Sequence, residues 1–240
     1  MDALILAAGF GSRLGDLGQH TPKALLEVGG RTMLEHVVDR LVAAGVDRVV
    51  VNVHHHADLI ERFVDSRELG AEILLSHEPE RPLETGGGLL NARGLLRRDA
   101  PFFLHNVDVL TEADLSALRD AHVASGALAT LAVSDRPTQR HLLFDEVGLV
   151  GWSDGRRDVR IEVRGAVGEV RKRAFAGIHV LAPELPDRIT EQGVFSILDV
   201  YFRLAREGAR IDPVSIGEAR WLEVGTPERL EAARAALATG

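Results

Sequence analysis

A chain of 240 residues, 45% of them apolar and 27% charged, has the size and composition of a soluble protein with a substantial buried core. Its net charge of −8, from 28 basic and 36 acidic residues, argues against a general nucleic-acid binder, which needs a basic surface. With no cysteine there is no disulfide, thiolate nucleophile or zinc–thiolate site, and no run approaches the roughly 18–20 apolar residues of a membrane span.

The N-terminus, Met1-Asp2-Ala3-Leu4, lacks the basic region of a secretory signal, so a soluble, cytoplasmic protein is expected. An apolar run over Ala3–Ala7 has the length of a short buried strand. It breaks at Ala8-Gly9-Phe10-Gly11-Ser12, where two glycines allow a tight turn whose N–H groups face a guest anion. Arg13 follows at once and Lys23 stands behind Pro22, so phosphate is the natural occupant.

Glu27-Val28-Gly29-Gly30 reads as a short strand and turn. Thr32-x-x-Glu35 is a capping box opening a helix with Leu34, Val37, Val38, Leu41 and Val42 inward and Gly45 at its close. Arg48–Val53 is a second buried strand, and residues 57–68 form a helix with Leu59, Ile60, Phe63 and Val64 inward. Glu72–Leu75 is a third strand, and Thr85-Gly86-Gly87-Gly88 enters a helix running to about Leu96. Pro101–His105 is a fourth strand ending in Asn106-Val107-Asp108, followed by a helix over 112–123 and the strand Ala127–Val133.

This alternation predicts an α/β fold with a doubly wound, mainly parallel, Rossmann-like sheet. Ligands of such sheets bind at the carboxyl ends of the strands, where both the glycine loop and Asn106-Val107-Asp108 fall. From about Arg136 the texture changes to short strands, Leu142–Phe144, Leu149–Trp152, Val159–Val163 and Ala174–Val180, which predict a small mixed or antiparallel extension on the substrate side. Helices near 184–189 and 195–207, a strand over Arg210–Val214 and a last helix from Thr226-Pro227 complete the chain. No linker interrupts it, so one domain over 1–240 is expected, with a nucleotide-binding half (1–134) and a sugar-phosphate half (135–240).

Three phosphate chemistries compete for the glycine loop. A dinucleotide fingerprint fits badly: Leu14 stands where the third glycine belongs, and the second strand ends in Asn52 without the acid that takes a ribose hydroxyl. A P-loop fails because no Gly-Lys-Ser/Thr follows the glycines. What remains is Gly9-x-Gly11-Ser12-Arg13-Leu14 with Thr21-Pro22-Lys23 downstream.

That pattern resembles the sugar-phosphate nucleotidyltransferases, the nucleotide-sugar pyrophosphorylases. The likeness extends to Leu83-Glu84-Thr85-Gly86-Gly87-Gly88, to Asn106-Val107-Asp108, to Ala176-Gly177-Ile178-His179-Val180 and to Trp221-Leu222-Glu223-Val224-Gly225-Thr226-Pro227-Glu228. Within the family, Pro82–Gly88 and the short chain look most like the uridylyltransferases of N-acetylmuramate 1-phosphate.

The chemistry suits these residue types. A sugar-1-phosphate oxygen is already a nucleophile, so catalysis reduces to bringing anions together and stabilising charge on the α-phosphoryl group and departing pyrophosphate. Backbone N–H groups from Gly9 to Ser12 can cradle a triphosphate. The resemblance implies that Arg13 neutralises the β- and γ-phosphates, that Lys23 stands near the α-phosphate, and that Asp108 with Glu223 holds Mg²⁺. It places Leu6, Ala8, Gly9, Gly11, Ser12, Glu84 and Gly86 on the nucleotide side, with His77 or Glu78 in the base pocket, and Asn106 and Gly177 on the sugar side.

Several features depart from the family pattern. Glu223 stands where the family has aspartate, one methylene shorter. The family's Glu-Lys-Pro before the sugar-side strand is replaced by Glu169-Val170-Arg171-Lys172-Arg173, in which Glu169 and Lys172 are candidates for sugar contacts or for a solvated strand edge. Gly15-Asp16-Leu17-Gly18-Gln19 lacks the Arg-Pro pair of longer members. His54-His55-His56 does not present one face to a metal and reads as a loop. Trp152 and Trp221 read as core.

The expected reaction joins an NTP, UTP by preference, to a sugar 1-phosphate with release of pyrophosphate, using Mg²⁺. A GTP- or CTP-dependent enzyme acting on mannose, heptose or choline phosphate is the alternative within the class. A dehydrogenase or a non-catalytic nucleotide-sugar sensor stands outside it.

Overall fold

Successive side chains of the first strand, β1 (Asp2–Leu6), point to opposite faces of a sheet, and both faces are covered: Leu4 packs into one apolar cluster, Ala3 and Ile5 into another. The computed structural model describes residues 1–78 and 80–238. In chain order the elements after β1 are α1 (Asp16–His20), β2 (Glu27–Val28), β3 (Arg31–Thr32), α2 (Met33–Ala43), β4 (Arg48–Val53), α3 (Ala57–Asp65), β5 (Glu72–His77) and α4 (Glu84–Ala92). Then come β6 (Phe102–Asn106), β7 (Val109–Thr111), α5 (Leu115–Ser125), β8 (Ala129–Ser134), β9 (Arg140–Asp145), β10 (Gly148–Asp154), β11 (Val159–Glu162) and β12 (Arg171–Leu181). The chain closes with α6 (Ile197–Arg206), β13 (Ile211–Ser215), β14 (Trp221–Glu223) and α7 (Pro227–Ala238).

The doubly wound sheet expected from the alternation is present. Strands β6, β1, β4 and β5 lie side by side and parallel, with β1 central. Local signals act as read: Thr32 Oγ1 accepts from the Glu35 N–H at 3.2 Å while Glu35 Oε2 accepts from the Thr32 N–H at 2.8 Å, so the box starts α2.

The antiparallel extension is also present, in the pairs β9–β10 and β10–β11, but it is joined to the main sheet. Strand β12 is longer than Ala174–Val180 and bridges the two: its first residues pair with β9, its last with β6 and β8. A register shift between Phe175 and His179 marks the switch, with Gly177 in the left-handed region at φ 81°.

Two local expectations change: the helix over 57–68 ends at Asp65, and residues 184–189 make only a 3₁₀ turn over Leu185–Arg188. The stretch after the glycine loop, for which no element was expected, forms the short helix α1. Three strands went unread, β3, β7 and β14, because pairings of two or three residues carry no periodicity of their own. The last two bear directly on the site: Glu223 lies opposite Val109, and the Val224 N–H donates to the Asp108 carbonyl at 3.0 Å.

Candidate active site

The glycine loop leaves β1 under the control of a residue on the neighbouring strand. Asn52, at 2% exposure on β4, accepts the N–H groups of Ala7 and Ala8 on its Oδ1 at 2.7 and 3.2 Å. Its Nδ2 donates to Glu78 Oε1 at 2.5 Å, and Glu78 Oε2 accepts from the Leu83 N–H at 2.7 Å. One buried carboxamide and one buried carboxylate therefore tie together the phosphate loop, β5 and the start of α4. Burial pushes the Glu78 carboxyl up, against the opposing pull of those hydrogen bonds. The N–H groups of Gly9 to Arg13 donate to no group among the described residues, as a phosphate cradle requires. Gly11 sits at φ 64°, and Gly18 packs so closely on its carbonyl that a Cβ there would stand 2.3 Å from the oxygen.

Two cavities open at the carboxyl ends of the parallel strands. The first, about 380 Å³, is lined by Leu6, Ala8, Gly9, Lys23, Glu78 and Glu84, among others. The second, about 460 Å³, is lined by Arg13, Arg136, Gly177, Trp221 and Glu223, among others. Asn106 and Asp108 line both. The structure thus brings most of the residues singled out in the sequence to one place and sorts them into a nucleotide-side and an acceptor-side group.

At the join, Lys23 Nζ lies 2.6 Å from Asp108 Oδ2, with both side chains largely buried. Lys23 is carried by a 3₁₀ turn, Lys23–Leu25, that begins directly after Pro22. Only Lys23 and Lys172 among the 28 basic residues are lysines. A chain that uses arginine almost everywhere keeps the compact ammonium here, a compositional signal that the motif reading passed over.

Glu223 is held from two sides, by Arg229 and by Arg13, whose Nη2 is 4.0 Å away. Mg²⁺ takes hard oxygen donors, commonly one or two carboxylates completed by substrate phosphates and water. Asp108 and Glu223 offer two such carboxylates on one cavity wall, each now neutralised by a side-chain cation, so the donor set fits. No group of three or more His, Cys, Asp or Glu among the described residues is placed to hold a metal by itself.

Gly177 is required where it stands: a Cβ would meet Val109 Cγ2 at 3.0 Å and Asn106 Nδ2 at 3.1 Å. Glu84 opens α4 at φ 61°, an unusual backbone for a residue with a side chain, and it lines the nucleotide cavity. Gly86 does not line that cavity; it packs on Phe195 beneath it. Ser12 and Gly11 stay on the loop outside both cavities. Glu169 is not brought to the site: it lies in the exposed loop before β12 and pairs with Arg171 at 3.3 Å.

Trp221 packs against the apolar core as expected, and its remaining face belongs to the site. It lines the acceptor cavity, donates from Nε1 to the Ala176 carbonyl at 2.9 Å, and carries the Arg136 guanidinium 3.8 Å above its ring centroid. Trp152 lines the same cavity. His54 and His56 brace the loops, on the Glu78 carbonyl at 2.8 Å and the Gln19 carbonyl at 2.7 Å. Arg136 and Asn52 were missed in the sequence because neither stands in a motif.

Residues 3–193 match the family model described as the MobA-like NTP transferase domain. The chain is 37% identical to the N-acetylmuramate alpha-1-phosphate uridylyltransferase of Caulobacter vibrioides, over 98% of this chain and 96% of that protein. It is 33% identical to the mannose-1-phosphate guanyltransferase of Schizosaccharomyces pombe, over 95% of this chain but only 62% of that longer protein. Among solved structures, the inositol-1-phosphate CTP transferase from T. maritima superposes with a TM-score of 0.77 at 20% identity, covering 100% of this chain and 96% of that one, a likeness of fold. No helix among the described residues is long and apolar enough to cross a membrane.

Proposed function

The chain belongs to the MobA-like NTP transferase family, and from that premise we propose that it couples UTP to N-acetylmuramate 1-phosphate, using Mg²⁺ that Asp108 and Glu223 would hold. The broader reaction is that of a nucleotidyltransferase: an NTP and a sugar 1-phosphate give an NDP-sugar and pyrophosphate. The observation that carries the reading is that Asn106 and Asp108 line both cavities, so a nucleotide in one and an acceptor in the other meet at those side chains. The choice of UTP and N-acetylmuramate rests on the relative matched over almost its whole length.

In this reading the acceptor's phosphate oxygen attacks the α-phosphorus of the triphosphate. The bond from that phosphorus to the bridging oxygen breaks, and pyrophosphate leaves with the electron pair. The attacking oxygen is already anionic, so no side chain need remove a proton. Lys23, at the join, would meet the charge that builds on the α-phosphoryl group, and Arg13, which follows the glycine loop but lines the acceptor cavity beside Glu223, would turn to the leaving pyrophosphate. Asp108 and Glu223 would hold Mg²⁺, which neutralises the phosphates as they approach. The Asn52–Glu78 pair keeps the loop and the base pocket in register before any ligand arrives.

A cytoplasmic location belongs to the same reading, supported by a cysteine-free sequence. The test is a pyrophosphate-release screen crossing the four common NTPs with a panel of sugar 1-phosphates. UTP with N-acetylmuramate 1-phosphate should give the highest kcat/KM; preference for GTP with mannose 1-phosphate would overturn the assignment.

A further inference from the structure

Five arginines line the acceptor cavity against two carboxylates, Asp108 and Glu223. Arg13 and Arg229 turn to Glu223, and Arg140 pairs with the buried Asp154 at 3.2 Å. Arg136 and Arg156 have no carboxylate partner among the described residues. One free guanidinium can take the acceptor's phosphate. This cavity holds two.

The two differ in place and in mounting. Arg136 lies over Trp221, two residues from Glu223, and its Nη2 donates to the Phe175 carbonyl at 2.7 Å. Its Nε is buried without a partner, and burial, helped by the nearby charge of Arg229, lowers its pKa. A cation so withdrawn from water and lacking a counter-ion is a receptor for an anion, and its neighbour Glu223 puts it at the phosphate end.

Arg156 lies in the turn between β10 and β11. That turn is braced from beneath: Asp154, at 1% exposure, accepts the Arg156 N–H at 2.9 Å, and the Gly155 N–H donates to the Gln139 carbonyl at 2.8 Å. His141, in the same cavity, is kept toward its neutral form by burial and by the charges of Lys172 and Arg136, which marks the region as electropositive. A guanidinium presented to solvent from a turn braced in this way suits the planar two-oxygen face of a carboxylate.

We propose that Arg156 recognises the carboxylate of the acceptor while Arg136 holds its phosphate, so that Arg156 is the residue that selects an acidic over a neutral sugar 1-phosphate. The proposal rests on the nucleotidyl-transfer reading above and assigns the side chain behind its choice of acceptor.

Three acceptors isolate the charge: N-acetylmuramic acid 1-phosphate, its carboxamide, and N-acetylglucosamine 1-phosphate. With UTP and Mg²⁺, the acid should exceed the amide in kcat/KM by about tenfold to a hundredfold, the range of a charge-assisted hydrogen bond. Arg156→Gln should reduce that advantage below threefold, mainly through KM, and Arg156→Lys should restore part of it. Arg136→Gln should slow all three acceptors alike. Equal rates for acid and amide, or an Arg156→Gln variant slowing both by the same factor, would overturn the inference while leaving nucleotidyl transfer intact. Absence of pyrophosphate release with every acceptor would instead end the choice of UTP and amino-sugar phosphates on which the inference rests. Calorimetric binding of acid and amide to wild type and Arg156→Gln then decides the role of Arg156 separately: an unchanged affinity ratio would reject it.

Discussion

Lys23 and Asp108 stand 85 residues apart in the chain and 2.6 Å apart in space, an ammonium and a carboxylate sharing the point where the two cavities join. In the ligand-free fold each neutralises the other. When a triphosphate and a divalent ion enter, Asp108 can turn to the ion and Lys23 to the α-phosphate without either being left as a lone buried charge.

Lys23→Ala should therefore lower kcat by about two to three orders of magnitude, the usual cost of removing one preorganised donor to a transition-state charge. Lys23→Arg should not rescue it, because a planar guanidinium cannot occupy the place of a compact ammonium against Asp108. Steady-state pyrophosphate release measures both, and a Lys23→Arg enzyme within threefold of wild type would refute the role.

Glu223 is held by Arg13 and Arg229 and faces the same cavity as Asp108. Glu223→Gln should raise the Mg²⁺ concentration needed for half-maximal rate by about tenfold, the loss of one charged oxygen ligand. A magnesium titration showing the same midpoint in both proteins would remove Glu223 from the metal site.

Gly177 touches Asn106 and Val109 with no room for a methyl group and has φ 81°. Gly177→Ala should cost about 1–3 kcal/mol of stability through backbone strain. It should also raise the KM of the sugar phosphate more than that of the nucleotide, since Gly177 and Val109 line the acceptor cavity and not the nucleotide one. Equal effects on both substrates would contradict the division into two cavities.

Glu84 carries the opposite strain. Its left-handed backbone costs roughly 1–2 kcal/mol for a residue with a Cβ, partly offset by the freedom that glycine loses on folding. Glu84→Gly should leave the protein as stable or more stable by up to about 1 kcal/mol, whereas Glu84→Val should destabilise it. Urea unfolding of the two variants decides; a glycine variant less stable than wild type would show the backbone is not strained.

His105 and His179 lie on the adjacent strands β6 and β12, fully buried, and burial brings their pKa values down to about 4 and about 3. The Tyr201 hydroxyl lies 2.9 Å from His179 Nδ1. Both histidines are neutral in the fold, while in the unfolded chain each protonates near pH 6.5. Unfolding therefore takes up protons below that pH. The stabilising effect is complete above about pH 6.5 and is lost as the pH falls toward 4, by about 1.4 kcal/mol per pH unit for each histidine. Urea midpoints at pH 7.5, 6 and 5 should decline progressively, and a flat profile would show that one or both histidines are charged in the native state.

The amino-acid sequence by itself determined the alternating architecture and the identity of most of the chemistry-bearing side chains. Helical and strand periodicities, the Thr32–Glu35 box and the glycines after β1 are local signals, complete within a few residues, and backbone sterics enforce them wherever they occur. The tertiary structure alone decided the pairings across distance. It placed Glu223 beside Asp108 through the three-residue pair β7–β14, set Asn52 under the glycine loop, and gave the core-packed Trp221 a cavity face beneath Arg136 while leaving Glu169 in solvent. Those placements depend on long-range register and on which buried polar group finds a partner. Neither is written in any one segment, since each is set by the packing of strands that the chain brings together only once it has folded.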